Sequence, residues 1–187
     1  MPAYPAHLTR HARVADGRRV TIRPVRPEDE AGQRAFFARL SDETKRLRFH
    51  AFAQPLNDTL VHFFTHIDYD RHMAFVCEHD ARLVGESRYV ANPGGRSCEF
   101  GVVVADDWRG SGLARLLMDA LIDAARERGF DSMEGLVVRD NVRMLEFVRK
   151  LGFEVQASTL DGSMVRIRRK LLTPSAGGAP RSAGAAG

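Results

Sequence analysis

Cysteine is scarce: Cys77 and Cys98 are the only two in 187 residues. Two cysteines cannot build a disulfide framework or a four-cysteine metal site, and their spacing matches no redox pair, so both are read as free thiols. Long apolar runs are missing as well. None approaches the roughly 18 residues of a membrane span, and Met1 to Val14 lacks the continuous apolar stretch of a secretory leader, so a cytoplasmic protein without a membrane partner is expected. Neither sign of charge dominates. Against 24 Asp and Glu, 28 Lys and Arg leave a formal +4, which tilts towards an anionic ligand without demanding nucleic acid. What is present is a hydrophobic fraction of 44% in a chain of one-domain length, enough to bury a sizeable core. Collagen-like, wholly disordered and disulfide-scaffold classes are thereby excluded.

Residues 173–187 hold only Ala, Gly, Ser, Pro, Thr and one Arg, too little apolar surface to offset the entropy of ordering them, and are expected as a disordered tail. Residues 1–13 carry two prolines and no hydrophobic period. They are expected as a flexible arm, with an edge segment as the alternative. The folded domain is then 14–172, without internal repeat or dividing linker.

Within it the pattern predicts a strand at Val20 to Val25, a helix entered through Pro27-Glu28-Asp29 and running to Leu40, and short helices over Ser41 to His50 and Asn57 to His66. Strands follow at Arg71 to Glu78, Leu83 to Ala91 and Ser97 to Ala105, separated by a turn near Asp80 and by Asn92-Pro93-Gly94-Gly95, which makes an antiparallel meander. Leu113, Leu116, Leu117, Ala120, Leu121 and Ala124 recur at helical spacing, with Gly129 as the stop. A strand at Met133 to Val138, a helix at Asn141 to Leu151, and strands at Phe153 to Ser158 and Met164 to Leu171 around Asp161-Gly162 complete a mixed α/β sheet.

Chemistry concentrates in Asp107-Trp108-Arg109-Gly110-Ser111-Gly112-Leu113-Ala114-Arg115, a glycine-containing turn between an apolar strand and an amphipathic helix. The first amides of a helix have no intrahelical partner and point outward at the positive end of its dipole, as a pyrophosphate requires. Gly110 and Gly112 admit close backbone approach, and Arg109 and Arg115 add charge. Two glycines that merely turn a strand into a helix are the competing reading. A P-loop needs lysine and a hydroxyl residue where Leu113 and Ala114 stand. A dinucleotide fingerprint needs a third glycine where Arg115 stands and an earlier place in the sheet.

The remaining pattern, Arg-x-x-Gly-x-Ala at Arg109, Gly112 and Ala114, resembles the acetyl-CoA pyrophosphate loop of the GNAT superfamily of N-acetyltransferases. The strand Glu134 to Val138 and the stretch Asn141 to Glu154 resemble the second GNAT motif at suitable spacing. Upstream, Ile22-Arg23-Pro24-Val25-Arg26-Pro27-Glu28-Asp29, Leu40-Ser41, Leu47-Arg48-Phe49, Ile67-Asp68-Tyr69-Asp70 and Cys98 to Val104 are similar to the acetyltransferase domain of bacterial protein-lysine acetyltransferases. The likeness covers nearly all of Val20 to Glu154.

This resemblance implies a GNAT fold: a mixed, mostly antiparallel central sheet flanked by helices, with a splayed strand pair forming the acetyl-CoA cleft. It implies that the backbone of Val102, Val103 and Val104 pairs with the pantetheine arm. Arg109, Gly110, Ser111, Gly112, Leu113, Ala114 and Arg115 would hold the pyrophosphate. Asn141 would reach the pantetheine or cap its helix, or both, and Met144 and Phe147 would line the thiol end or simply pack in the core. The hydroxyl of Ser111 is read as a phosphate contact or a cap. Glu99 is the candidate general base, because a lysine amine of pKa about 10.4 is mostly protonated at neutral pH; an exposed carboxylate paired with an arginine is the alternative. Many relatives carry a tyrosine acid four residues before the glycine of the Gly-Phe pair. Val148 stands there, so no side-chain acid is assigned, and a thiol of pKa about 8.5 leaves tolerably without one.

His62 and His66 have a metal-capable spacing but no His-Glu-x-x-His pattern and no third ligand downstream, so they are read as surface histidines and no metal is expected. Arg166, Arg168, Arg169 and Lys170 make the last strand basic, for phosphates, an acidic protein face or a solvated edge. The expected activity is acetyl transfer from acetyl-CoA to a primary amine, a protein lysine above all. The alternatives are a small-molecule amine acetyltransferase and a catalytically silent acyl-CoA sensor. A nucleic-acid partner lacks a motif, and the oligomer is monomer or homodimer.

Overall fold

The structure, a computed structural model, describes residues 3–49, 57–156 and 162–171. The expected tail at 173–187 and residues 157–161 of the last hairpin, including Asp161, lie outside the described residues. Eight strands form one sheet: β1 (Arg10–Arg13), β2 (Arg19–Pro24), β3 (His72–His79), β4 (Arg82–Ala91), β5 (Ser97–Val104), β6 (Ser132–Val138), β7 (Glu154–Gln156) and β8 (Met164–Lys170). Their order is β1-β2-β3-β4-β5-β6-β8-β7. Every pairing is antiparallel except β5 with β6. Among the described residues five α-helices accompany the sheet: α1 (Glu30–Arg39), α2 (Asp42–Phe49), α3 (Asp58–Thr65), α4 (Leu113–Glu127) and α5 (Val142–Lys150).

Most of β3 and β4 is buried, as expected of strands covered on both faces. Register assigns the two faces. Gly85 and Ser87 pair with Val104 and Val102, and Ser87 Oγ donates to the Leu117 carbonyl at 3.1 Å, so this face meets α4. Leu113, Leu117, Ala120, Leu121 and Ala124 supply the buried stripe of that helix. The alternate residues, Glu86 with Val103 and Arg88 with Gly101, face the other side, where α1 packs on β4 and α2 on β5.

Residues 6–13, expected as a loose arm with an edge segment as the alternative, take the second form. A short 3-10 turn leads into β1, which pairs with β2 from Arg10 opposite Ile22 to Arg13 opposite Arg19. Tyr4 Oη donates to the Pro24 carbonyl at 3.1 Å. Arginine on this edge strand deters pairing with another chain. Deeper in, Arg23 is almost wholly buried, doubly bonded to Asp29 at 2.7 Å and to Glu78 at 2.9 Å. Removing one partner of such a set leaves an uncompensated charge and costs about 3–5 kcal/mol.

Candidate active site

The segment between β5 and α4 turns as its glycines predict. Gly110 and Gly112 have φ of +76° and +87°, the left-handed region that costs most residues about 1 kcal/mol or more. A Cβ on either would meet open space, so the conformation, and not crowding within the chain, requires glycine. Gly112 is the N-cap of α4, and Arg115 and Leu116 both donate to its carbonyl. Ser111, one residue before that cap, braces the turn. Its buried hydroxyl donates to the Trp108 carbonyl at 2.7 Å and accepts from Leu113 N at 3.3 Å. Leu113 is fully buried and anchors the helix, while Arg115 lies outside, near Asp119 at 3.4 Å. The open space beside two left-handed glycines at a 15-residue helix start suits a pyrophosphate.

Arg109 does not extend into that space. Its guanidinium bonds to Thr44 Oγ1 and to Asp106 at 2.7 Å. Asp106 also accepts from Ser41 N at 2.8 Å, Ser41 Oγ at 2.9 Å and Thr44 Oγ1 at 2.6 Å. Burial acts to raise the Asp106 carboxyl, but these donors and Arg109 hold it below its usual value. Arg109 and Asp106 therefore clasp the loop to the start of α2, where Ser41 Oγ caps Thr44 N.

The cleft opens between β5 and β6. They pair in parallel only from Ser97 with Ser132 to Glu99 with Glu134. Beyond that rung β5 stays with β4 and β6 with β8. Phe100 sits at the parting: its ring lies 3.2 Å from where a Cβ on Gly135 would stand and 4.9 Å, centroid to centroid, from Phe153. Val102, Val104, Met144 and Phe147 are partly buried against the core, at the depth expected of residues lining a cleft. Asn141 caps α5 by accepting from Met144 N at 3.2 Å. Val148 is fully buried.

On the opposite face register aligns His72, Val90, Glu99, Glu134 and Arg168 in one row across five strands. The two carboxylates on this row differ sharply. Glu134 is largely covered and accepts from Asn92 Nδ2 at 2.9 Å and Arg166 Nη1 at 3.2 Å. Glu99 is exposed and feels the positive charge of Arg48. Glu99 is thus the more accessible of the two carboxylates.

Behind Glu99 lies a buried polar network that the sequence analysis did not identify. Glu86 accepts from Gln33 Nε2 and Arg88 Nε, both at 2.6 Å. Arg88 also donates to His72 Nε2 at 2.9 Å and to the Phe64 carbonyl at 3.3 Å, with its Cζ 3.9 Å above the Phe64 ring. Burial acts to raise the Glu86 carboxyl, yet Arg88, Arg48 and Gln33 bring it below its usual value. Burial, reinforced by Arg88, pushes His72 down to about 4, so its ring is neutral near pH 7 and Nε2 accepts. The available signal was Glu86 and Arg88 two apart in the apolar strand Leu83 to Val90, which places both on one face.

Comparison with known proteins agrees with this geometry. Residues 28–153 match the acetyltransferase (GNAT) family. An acetyltransferase of Pseudomonas aeruginosa is 39% identical over 154 residues, 80% of this chain and 83% of the relative. The acetyltransferase Pat of Mycolicibacterium smegmatis is 29% identical over 134 residues, 70% of this chain but 40% of that longer protein. The crystal structure of the GNAT domain of S. lividans PAT superposes with a TM-score of 0.85 at 28% identity, covering 90% of this chain and all of that domain. A helix start opening on empty space, a parallel strand pair that parts after one exposed glutamate, and a match over most of the chain agree: this chain belongs to the GNAT family of acetyltransferases.

Proposed function

We propose that this enzyme transfers an acetyl group from acetyl-CoA to the side-chain amine of a protein lysine in the cytoplasm, with Glu99 as general base. The observation that carries the proposal is the position of Glu99, an exposed carboxylate on the last shared rung of β5 and β6. The backbone from Gly110 to Ala114 at the start of α4 would hold the pyrophosphate, with Arg115 nearby and the Arg109 side chain clasping the loop. Val102 to Val104 would receive the pantetheine arm as an added strand, and Asn141, Met144 and Phe147 border its far end. Acetyl-CoA supplies an acyl group activated as a thioester. Glu99 takes the proton of the acceptor ammonium, directly or through a water, and the neutral amine attacks. A backbone amide at Val102 or Val103 polarises the carbonyl oxygen. As the C–S bond breaks, the proton shed by the acetylated nitrogen passes to the departing thiolate, directly or through water, and no side chain is assigned as the acid because Val148 stands at the relatives' tyrosine position.

A second reading, a small amine as acceptor, draws support from charge. Arg166 is paired with Glu134 at 3.2 Å, so this edge of β8 repels a cationic metabolite less than its arginines alone would. Labelled acetyl-CoA offered to a cell lysate and to an amine panel separates the two. Label on protein lysine Nε supports the proposal; label confined to small amines overturns the protein acceptor.

A further inference from the structure

We propose a divalent transition-metal site, of zinc type, formed by Glu30, His62 and His66 at the junction of α1 and α3, away from the acetyl-transfer cleft. His62 and His66 were read as surface histidines because no third ligand follows them in the chain. The fold supplies one from the other direction. Glu30 begins α1, His62 lies one turn before the end of α3, and His66 is the residue that caps it. Both imidazoles present Nδ1 to the same oxygen, Glu30 Oε1, at 3.7 Å from His62 and 3.6 Å from His66. The two rings stack with centroids 3.7 Å apart. One ligand atom from each of the three residues lies within 4.8 Å of the other two.

Two imidazole nitrogens and one carboxylate oxygen are a ligand set that zinc accepts, with bonds of about 2.0–2.2 Å. At a tetrahedral angle those bonds place nitrogen and oxygen about 3.3 Å apart, so the two separations from Glu30 Oε1 need to close by a few tenths of an ångström, while the stacked rings must turn to aim both nitrogens at one ion. The side chains are partly exposed, which gives an ion an entry path and leaves the fourth position to water. One contact competes. Thr65 Oγ1 lies 3.1 Å from His66 Nδ1, and a metal on that nitrogen would displace it. The hydroxyl keeps its stronger bond, 2.9 Å to the Val61 carbonyl. Imidazole with carboxylate favours zinc, nickel or cobalt over magnesium or calcium, which prefer all-oxygen shells. The ion would staple the start of α1 to the end of α3, the helix whose Phe64 carbonyl accepts from Arg88.

The test uses the full chain after chelator treatment, titrated calorimetrically with ZnCl₂ and followed by thermal melting; neither readout depends on acetyl transfer. One equivalent bound at micromolar affinity is expected, with a melting temperature that rises with zinc and not with magnesium. Co²⁺ should gain visible absorption on leaving its octahedral water shell. His62→Ala, at an exposed helical position, and Glu30→Gln, which keeps the shape, should each weaken binding about tenfold or more while folding normally. Failure to bind zinc below about 100 μM, or equal affinity in both variants, overturns the site; the latter would assign the ion to other histidines.

Discussion

Arg48 and Gly101 occupy one space: a Cβ on Gly101 would stand 2.6 Å from the Arg48 Cζ and within 2.8 Å of both terminal nitrogens. Glycine at this point of β5 lets a guanidinium from α2 lie flat on the strand, two residues from Glu99 and opposite Arg88. Arg48 is a deeply placed cation whose pKa burial lowers, with Glu86 and Glu99 acting to restore it. Gly101→Ala should therefore push Arg48 out of place, costing about 1–3 kcal/mol as overpacking does. Turnover should fall more than acetyl-CoA affinity. Urea unfolding that shows less than about 0.5 kcal/mol of loss would mean that the guanidinium is not held there.

At the loop, Gly112→Asp introduces a negative charge where the phosphates are proposed to lie. The φ of +87° penalises any side chain, so Gly112→Ala is the needed control: it carries the backbone strain without the charge. Acetyl-CoA affinity should drop about ten- to a hundredfold further in the aspartate variant, matching the loss of a charge-assisted contact of about 1.5–3 kcal/mol. Equal affinities by calorimetry would remove the pyrophosphate from this helix start.

Glu99→Gln retains shape and removes the proton acceptor. Turnover near neutral pH should fall by about 10² to 10⁴ with acetyl-CoA binding nearly unchanged, and the defect should shrink as pH rises and the amine deprotonates unaided. Glu134, engaged by Asn92 and Arg166, should not substitute. Normal turnover in this variant would leave Glu99 as a surface carboxylate.

The network behind Glu99 makes a stability prediction with a definite sign. His72 has a folded pKa of about 4 against the ordinary 6.5, so between those values the unfolded chain binds the extra proton and the folded chain does not. Stability is complete above about 6.5 and is lost as pH falls towards 4. The single-group contribution between about pH 7 and about pH 5 is on the order of 2 kcal/mol. Glu86, held below its ordinary value, adds a loss of the same sign at lower pH. His72→Gln should flatten the profile of urea midpoints over that interval. An unchanged profile would show that His72 titrates normally and that burial beside Arg88 does not hold it neutral.

Local periodicity made the elements legible. The α4 stripe from Leu113 to Ala124 and the meander of β3, β4 and β5 stand where alternation and helical spacing place them. Boundaries moved by a residue or two, as at α5, where Asn141 lies outside the helix as its cap. The loop was legible because left-handed glycines and a helix start are local features. Side-chain commitments were not, since they depend on residues distant in the chain. Arg109 is satisfied by Thr44, 65 positions earlier, and Glu30 meets histidines more than thirty residues later. Arg48 turns inward because of a missing side chain on another element. The Glu86–Arg88–His72 set escaped notice because a charged pair in an apolar strand is assigned a face by alternation but a partner only by the fold.

That inward turn also revises how acceptor recognition should respond to salt. Composition assigns Lys45, Arg46, Arg48, Arg166 and Arg168 to the border of the cleft and so favours an acidic surface around the target lysine. The structure removes Arg48 from solvent-facing duty, pairs Arg166 with Glu134 and engages Arg168 with Ser132. Lys45 and Arg46 on α2 remain for long-range attraction, with Arg168, whose charge a serine hydroxyl does not cancel, and Lys45 is itself 3.9 Å from Asp42. Exposed charges are screened over about 8–10 Å at ordinary ionic strength, and so few of them steer weakly. Protein acetylation should accordingly fall only about two- to threefold between low and ordinary salt, and Arg46→Glu should abolish most of that fall. A drop of about tenfold or more, insensitive to Arg46→Glu, would mean that Arg166 and Arg168 leave their internal partners when the acceptor arrives. Spermidine turned over as fast as protein at every salt concentration would instead transfer the site to small amines.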